Sequence, residues 1–174
     1  MSTERKGVIT FKGNPLTLVG NEIKVGSKAP DFKLLTNGLE EVDLAATKGK
    51  TRIISVVPSL DTPVCDVQTK RFNEEASKFP SSVVVLTVST DLPFAQARWC
   101  GATGSKNVQT LSDHRDTNFG ISYGVLIKEL RLLSRAIIIV GANDTVQYVE
   151  YVNEITEHPN YDKALNFLKS GAKA

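Results

Sequence analysis

Three short apolar runs with no polar alternation constrain the fold of this 174-residue chain more than any other feature. They cover 52–57, 83–88 and 136–140, and valine and isoleucine dominate each of them. Strands that read as continuous apolar runs are typical of the centre of a sheet covered on both faces. Because helical patterns lie between these runs, we predict an α/β fold with a mixed sheet flanked by helices.

The flanking segments complete this prediction. The pattern predicts an N-terminal β-hairpin with strands at 8–11 and 16–19, joined by a turn at 12–15. Helices are predicted over 63–79, from 91 to 101 and over 161–169, with a brief helix or irregular turn over 116–123. Further strands are predicted at 108–111 and at 146–152, the latter in a hairpin with 136–140. We expect one domain over 1–174, with 1–20 as a hairpin extension, because the length and the 41% hydrophobic content suit a single core.

Charge and hydropathy exclude several classes of partner. The net charge is +2, from 21 basic and 19 acidic residues that are interspersed along the chain. No basic stripe indicates a nucleic-acid partner or an anionic membrane surface. No apolar stretch approaches the ~20 residues that cross a bilayer, and the polar N-terminus lacks the pattern of a signal peptide. We therefore expect a cytoplasmic protein with no membrane association.

The chain has two cysteines, Cys65 and Cys100. A permanent structural disulfide is disfavoured in a reducing compartment. A zinc site would need both cysteines together with His114 and His158, and no close pair of ligands exists. Zinc is therefore disfavoured, and each cysteine is either an inert core residue or catalytic.

Cys65 is predicted to lie in the first turn of a helix that starts directly after a strand. Thr62 suits the N-cap, and Pro63 suits the first helical position because its missing N–H has no role there. Backbone N–H groups without partners and the positive end of the helix dipole stabilise a thiolate, which is the nucleophilic form of cysteine.

An inert role for Cys65 is also open, because it continues a helical stripe of apolar residues. The stripe contains Phe72, Ala76 and Phe79, and Cys65 stands where it is expected to meet solvent. The first-turn position, the Thr62 hydroxyl and a location beyond the carboxyl end of a strand favour catalysis over packing.

Cys100 is predicted to have the opposite environment, at the C-terminal end of its helix before Gly101 and Gly104. The negative end of the dipole disfavours a thiolate, so this sulfur should rest as a thiol; simple packing beside Trp99 is the alternative. A disulfide to Cys65 requires Cα atoms within about 7 Å. At least one helix end would therefore have to unravel, and 101–104 is the segment that melts more easily.

Arg135 is the candidate cation for Cys65. If the strands 52–57 and 136–140 are antiparallel neighbours, Arg135 lies at the same edge of the sheet as Cys65. The alternative is a solvated charge at a strand end, like Arg131, and the sequence alone favours that alternative.

Four segments, taken in order, resemble the peroxiredoxins, and more closely their bacterial thiol peroxidase branch of the atypical two-cysteine type. They are the Pro-x-x-x-Thr-x-x-Cys spacing of Pro58, Thr62 and Cys65, and the segments 29–32, 89–100 and 133–136. The resemblance covers essentially the whole chain, including the N-terminal hairpin.

The resemblance implies a thioredoxin-like fold and a thiol-dependent peroxidase, without cofactor, that reduces hydrogen peroxide and alkyl or lipid hydroperoxides. It implies that Cys65 is the peroxidatic cysteine and Cys100 the resolving one, with an intramolecular disulfide between them. Thr62 would then hydrogen-bond the sulfur and the peroxide, Arg135 would hold the thiolate, and Pro58 would shield it. Recycling by thioredoxin and a homodimer are further implications.

Two other functions use the same residues. A thiol–disulfide oxidoreductase normally needs Cys-x-x-Cys, whereas Asp66, Val67 and Gln68 follow Cys65 without a second cysteine. A non-enzymatic redox sensor, whose disulfide switches a partner surface, is the other alternative.

Overall fold

The computed structural model describes residues 2–171, in which ten strands form two sheets with four α-helices around them. The strands are β1 Glu4–Phe11, β2 Asn14–Val19, β3 Leu34–Leu35, β4 Glu41–Val42, β5 Thr51–Val56, β6 Val83–Ser89, β7 Gln109–Ser112, β8 Leu126–Ile127, β9 Ala136–Val140 and β10 Val146–Tyr151. The helices are α1 Pro63–Ala76, α2 Pro93–Thr103, α3 Asn118–Ser122 and α4 Tyr161–Gly171, with a 3₁₀ turn at Leu44–Thr47.

The larger sheet is mixed, as predicted, with seven strands in the order β10-β9-β5-β6-β7-β3-β4. β5, β6 and β7 are parallel, while β9 runs antiparallel to β5 and to β10. Val56 at the end of β5 pairs with Ala136 at the start of β9. The carboxyl end of β5 and the amino end of β9 therefore lie at one edge of the sheet.

The three apolar runs form the neighbouring strands β9, β5 and β6 inside this sheet, and apolar residues cover both of its faces. In β5, Ile54 and Val56 pack into one cluster, whereas Ile53 packs into another that includes Phe72 of α1 and Leu165 of α4. β5 and β9 are buried along almost their whole length. This explains why neither strand shows a polar alternation.

The two helices that carry a cysteine do not end where they are predicted to end: α1 ends three residues earlier and α2 ends two residues later. α1 ends at Ala76, not at 79, because Lys78 donates its N–H to the carbonyl of Glu75 (2.9 Å) and the chain tightens into a turn before Pro80. α2 continues past Gly101 to Thr103, because the left-handed conformation that closes the helix occurs at Gly104 (φ +66°).

The N-terminal hairpin has a tighter turn than predicted. Lys12 and Gly13 alone form it, both with positive φ, as a two-residue hairpin turn requires, and Asn14 and Pro15 already belong to β2. β2 pairs with β8, and β1 pairs on its outer side with the segment 153–155. The hairpin is therefore hydrogen-bonded to the rest of the molecule through both of its strands.

Two kinds of feature are not predicted from the sequence: very short strands, and contacts between residues that are distant in the chain. β3, β4 and β8 have two residues each, too few to show a period. Arg52, in an apolar run, is a fully buried cation that donates to the carboxylate of Asp144 (2.7 Å) and to the carbonyls of Gly141 and Leu44.

Within residues 2–171, no helix is both long and apolar enough to traverse a lipid bilayer.

Candidate active site

The candidate site lies at the sheet edge where β5 ends and β9 begins. A short loop of residues 57–62 connects β5 to α1, and Cys65 lies in the first turn of α1. Cys65 is completely buried in a small cluster with Val57, Leu60 and Trp99. The expectation that the stripe meets solvent at Cys65 is therefore wrong, because this cluster covers the sulfur.

Thr62 directs its hydroxyl at the sulfur. Its backbone has the extended conformation of an N-cap, but its side chain makes no capping hydrogen bond, so the predicted cap is correct only for the backbone. Thr62 Oγ1 lies 2.6 Å from Cys65 Sγ and 2.9 Å from the carbonyl oxygen of Ser59. Because a hydroxyl carries one proton, Thr62 donates either to a thiolate or to Ser59.

Arg135 lies directly before β9 and is 2% exposed. Its Nη2 lies 3.3 Å from Cys65 Sγ, and Nη2 and Nε both donate to the carbonyl of Ile155, at 2.8 and 3.1 Å. Nη1 donates to Gln68 Oε1 at 2.9 Å. The alternative of a solvated charge, which the sequence alone favours, is therefore wrong for Arg135, whereas Arg131 is exposed.

Three features favour negative charge on the sulfur of Cys65. The Arg135 guanidinium is in contact with it, the Thr62 hydroxyl can donate to it, and the first turn of α1 supplies the positive end of a helix dipole. The complete burial of the sulfur strengthens each of these interactions. The arrangement can therefore hold a thiolate, and it can also stabilise a negative charge that develops on an oxygen atom beside the sulfur.

Gln68 and Ile155 complete the surroundings of Arg135, and the sequence analysis assigns no role to either. Gln68 is fully buried, accepts from Arg135 and donates through Nε2 to Ser55 Oγ at 2.8 Å. Its position three residues after Cys65, on the same face of α1, is a signal that could have identified it. No such signal exists for Ile155, because its contribution is a backbone carbonyl.

Pro58 and Tyr161 lie on elements next to the site. Pro58 is buried, two residues after the end of β5, in the loop that leads to Thr62. Tyr161 is half-buried at the start of α4, and its hydroxyl lies 2.7 Å from His158 Nδ1. Burial raises the pKa of Tyr161 to about 12, although the charge of Arg135 opposes this rise. The phenol is therefore neutral at physiological pH and does not serve as a base.

Cys100 lies in the last turn of α2, as the predicted C-terminal position requires. It is half-buried, packs against the cluster around Cys65, and its Sγ lies 3.5 Å from Thr110 Oγ1. A surface cavity of about 360 Å³ reaches it, lined also by Asn37 and Lys106. Both cysteines are free thiols in this structure. Among the residues described, no group of three His, Cys, Asp or Glu side chains is arranged to hold a metal ion.

Comparisons with known proteins agree with this architecture. The family model described as Redoxin matches residues 24–165. The chain is 61% identical to thiol peroxidase of Bacillus subtilis, over 95% of this chain and 98% of that one, and 61% identical to thiol peroxidase of Halalkalibacterium halodurans, over 93% and 97%. A solved structure of a peroxiredoxin-like protein from Aquifex aeolicus matches with a TM-score of 0.88 and 44% identity, covering 97% of this chain and 98% of that one.

The fold and the site together define a redox protein with a thioredoxin-like mixed sheet and a buried cysteine at a helix start. The chain belongs to the redoxin family and, within it, to the thiol peroxidases. It is a thiol-dependent peroxidase of the peroxiredoxin type, as the sequence resemblance predicts.

Proposed function

We propose that Cys65 is the peroxidatic cysteine and that Cys100 resolves its oxidised form. The observation that supports this assignment is the convergence of Arg135 and Thr62 on one buried sulfur. Cys100, by contrast, has the Thr110 hydroxyl as its hydrogen-bonding neighbour and lies at the negative end of a helix dipole.

In the first step, the Cys65 thiolate attacks the terminal oxygen of a hydroperoxide. The new S–O bond forms as the O–O bond breaks, giving a sulfenic acid and an alkoxide that leaves as an alcohol after protonation. Arg135 and Thr62 stabilise the charge that moves from sulfur to oxygen, and Pro58 helps to keep water from the sulfur. Hydrogen peroxide and organic hydroperoxides, alkyl and lipid, are the proposed substrates.

In the second step, the Cys100 thiol attacks the sulfenic sulfur, which releases water and leaves an intramolecular disulfide. The two sulfurs lie in separate helices, so the last turn of α2 has to open before they can bond. Gly101, which lies inside the helix, and the absence of an apolar stripe on that turn favour this opening.

A dithiol reductant then restores both thiols, and we propose thioredoxin in this role. Because both cysteines are free at rest and both must return to that state, the reaction suits a reducing compartment, which we propose to be the cytoplasm. A homodimer is also proposed: Leu92 and Phe94 expose 53% and 66% of their surface at the start of α2, and a second copy would bury them.

The test is turnover of cumene hydroperoxide by the protein with thioredoxin and its reductase. Cys65→Ser should abolish peroxide consumption, and retained turnover would remove Cys65 from the mechanism. Cys100→Ser should consume one equivalent of peroxide and then stop, because it forms the sulfenic acid but no internal disulfide.

Mass spectrometry of the peroxide-treated wild-type protein, without reductant, should detect a 65–100 bond within one chain. Normal cycling of the Cys100→Ser variant with thioredoxin would show that Cys100 is only a packing residue and does not resolve the sulfenic acid. A thiol–disulfide oxidoreductase is disfavoured because Gln68 stands where Cys-x-x-Cys needs its second thiol, and its side chain is committed to Arg135.

A further inference from the structure

Asp91 connects the loop before Cys65 to the helix that carries Cys100. It is half-buried, follows β6 and is separated from α2 by one residue, Leu92. Its carboxylate accepts from Ser59 Oγ at 2.7 Å, from the backbone N–H of Leu60 at 2.8 Å and from Ser89 Oγ at 2.8 Å. Two of these three donors belong to the loop that positions Thr62.

Two residues, Ser59 and Thr62, connect Asp91 to the sulfur. Ser59, held through its hydroxyl by Asp91, presents the carbonyl that accepts from the N–H of Thr62 (3.1 Å) and lies 2.9 Å from the Thr62 hydroxyl oxygen. Thr62 in turn contacts Cys65 Sγ. The position of the Ser59 carbonyl therefore sets where the Thr62 hydroxyl stands relative to the sulfur.

Other hydrogen bonds also join α2 to α1 and to the loop before it. Trp99 donates from Nε1 to Asp66 at 3.0 Å, and Arg98 bonds the exposed carboxylate of Asp61 at 3.1 Å. The exposed Arg98–Asp61 pair contributes little, whereas the carboxylate of Asp91, which accepts three hydrogen bonds, one of them from the N–H of the buried Leu60, is a stronger restraint.

We propose that Asp91 is a positioning residue of the peroxidase reaction, one that holds the Cys65 loop in its attacking geometry and restrains its release toward Cys100. This proposal rests on the assignment of Cys65 and Cys100 given above. It implies opposite effects on the two chemical steps: loss of the carboxylate misplaces Thr62, which slows attack on the peroxide, and loosens the loop and the start of α2, which speeds disulfide formation.

The experiment compares Asp91→Ala with the wild-type protein in a stopped-flow instrument, without reductant. The peroxide concentration dependence gives the rate constant of the first step, and the later, concentration-independent change in Trp99 fluorescence gives the second. We expect the first-step rate constant to fall about tenfold or more, because small misplacements at a reacting centre have large effects on rate. We expect the second to rise several-fold, and the fraction of Cys65 over-oxidised to sulfinic acid at high peroxide to fall accordingly.

Two further variants keep the test decisive. Ser59→Ala removes one hydroxyl and should change both steps in the same directions by a smaller factor, which tests the proposal even if Asp91→Ala does not fold. Asp61→Ala removes an exposed bond between the same loop and α2 and should change neither step.

Unchanged steps in Asp91→Ala, or in Ser59→Ala if the first variant does not fold, would overturn the role of Asp91. Slowing of both steps, as in a generally destabilised protein, would also overturn it. These outcomes are separate from a failure of the proposed function, because that failure would appear as peroxide consumption by Cys65→Ser.

Discussion

At the scale of single residues, Arg135 shows why a guanidinium suits this site better than another cation. Its donors reach three acceptors in different directions: the sulfur of Cys65, the carbonyl of Ile155 and the amide oxygen of Gln68. A planar fork with fixed N–H directions satisfies all three, whereas an ammonium is a compact charge on a flexible stem. The position of the charge, and not only its sign, therefore depends on the identity of this residue.

Arg135→Lys should accordingly slow the reaction of Cys65 with peroxide by at least about tenfold, and Arg135→Ala by about 100-fold or more, since one preorganised donor contributes about 10²–10³ in rate in other enzymes. Stopped-flow measurement of the second-order rate constant with hydrogen peroxide checks this order. Arg131→Ala, which removes an exposed arginine four residues earlier, is the matched control and should react like the wild type. Equal rates for Arg135→Lys and the wild type would show that charge alone is sufficient.

The sequence predicts some of these residues and not others for a physical reason. Cys65 and Thr62 are linked by a helix start, so their proximity follows from local geometry. Arg135 needs a strand pairing, and its burial follows only from elements packed over it. Asp91 and the carbonyl of Ile155 act through loops that meet only in three dimensions, and no local pattern indicates them.

At the scale of elements, the last turn of α2 determines how readily Cys100 can leave its resting place. Gly104 closes the helix in a left-handed conformation, and its N–H donates to the carbonyl of Cys100. Gly101 lies inside the helix, where a Cβ would meet nothing within 4 Å. Gly104 thus suits its left-handed position, whereas Gly101 weakens the turn.

Alanine at these two positions should have opposite effects. Gly101→Ala should strengthen the turn by about 0.5–1 kcal/mol and slow formation of the 65–100 disulfide. Gly104→Ala forces a Cβ into a left-handed residue at a cost of about 1–2 kcal/mol and should speed disulfide formation by roughly fivefold or more. Quenched-flow mass spectrometry of the intrachain bond measures both rates. If the two substitutions shift the rate in the same direction, opening of this turn is not part of the step.

Helix ends are also where the prediction was least accurate. The stripe of apolar residues predicts that α1 continues to Phe79, and Phe79 does pack against the core, but from a turn and not from the helix. In α2, two glycines compete as the end signal, and the sequence cannot tell which one adopts positive φ. Both errors arise because side-chain period and backbone conformation are separate properties near a terminus.

At the scale of the whole molecule, Glu154 fastens the N-terminal hairpin to the body. Its carboxylate accepts from the N–H groups of Lys12 and Gly13 in the turn and from the hydroxyl of Thr10. The hydrogen bond from Gly13, followed by those from Thr156 and Thr10, lowers the pKa of Glu154 from 4.5 to about 2. A lowered pKa means that the ionised carboxylate stabilises the folded state.

The sign of the pH dependence follows from this direction. The contribution of Glu154 should be fully present above pH 4.5 and should disappear as the pH falls toward 2. We therefore expect Glu154→Gln to be less stable than the wild type in urea unfolding at pH 7, with a gap that closes between pH 4.5 and 2. Glu157→Gln, an exposed neighbour, is the control and should leave stability unchanged at both ends of this range. A gap that stays constant with pH would assign the effect to the shape of the side chain and not to its charge.

The pairing on the outer side of β1 bears on how far the N-terminus of this protein can be shortened. Ile155 donates its N–H to the carbonyl of Thr10, while its own carbonyl accepts two bonds from Arg135. A single residue thus lies between the hairpin and the guanidinium that contacts the sulfur. Shortening the chain to residues 24–165, the portion that the redoxin family model matches, would remove the hydrogen bonds of Ile155 and its neighbour Asn153 to Thr10. We therefore expect the hairpin of β1 and β2 to be needed for Arg135 to keep its place at the sulfur.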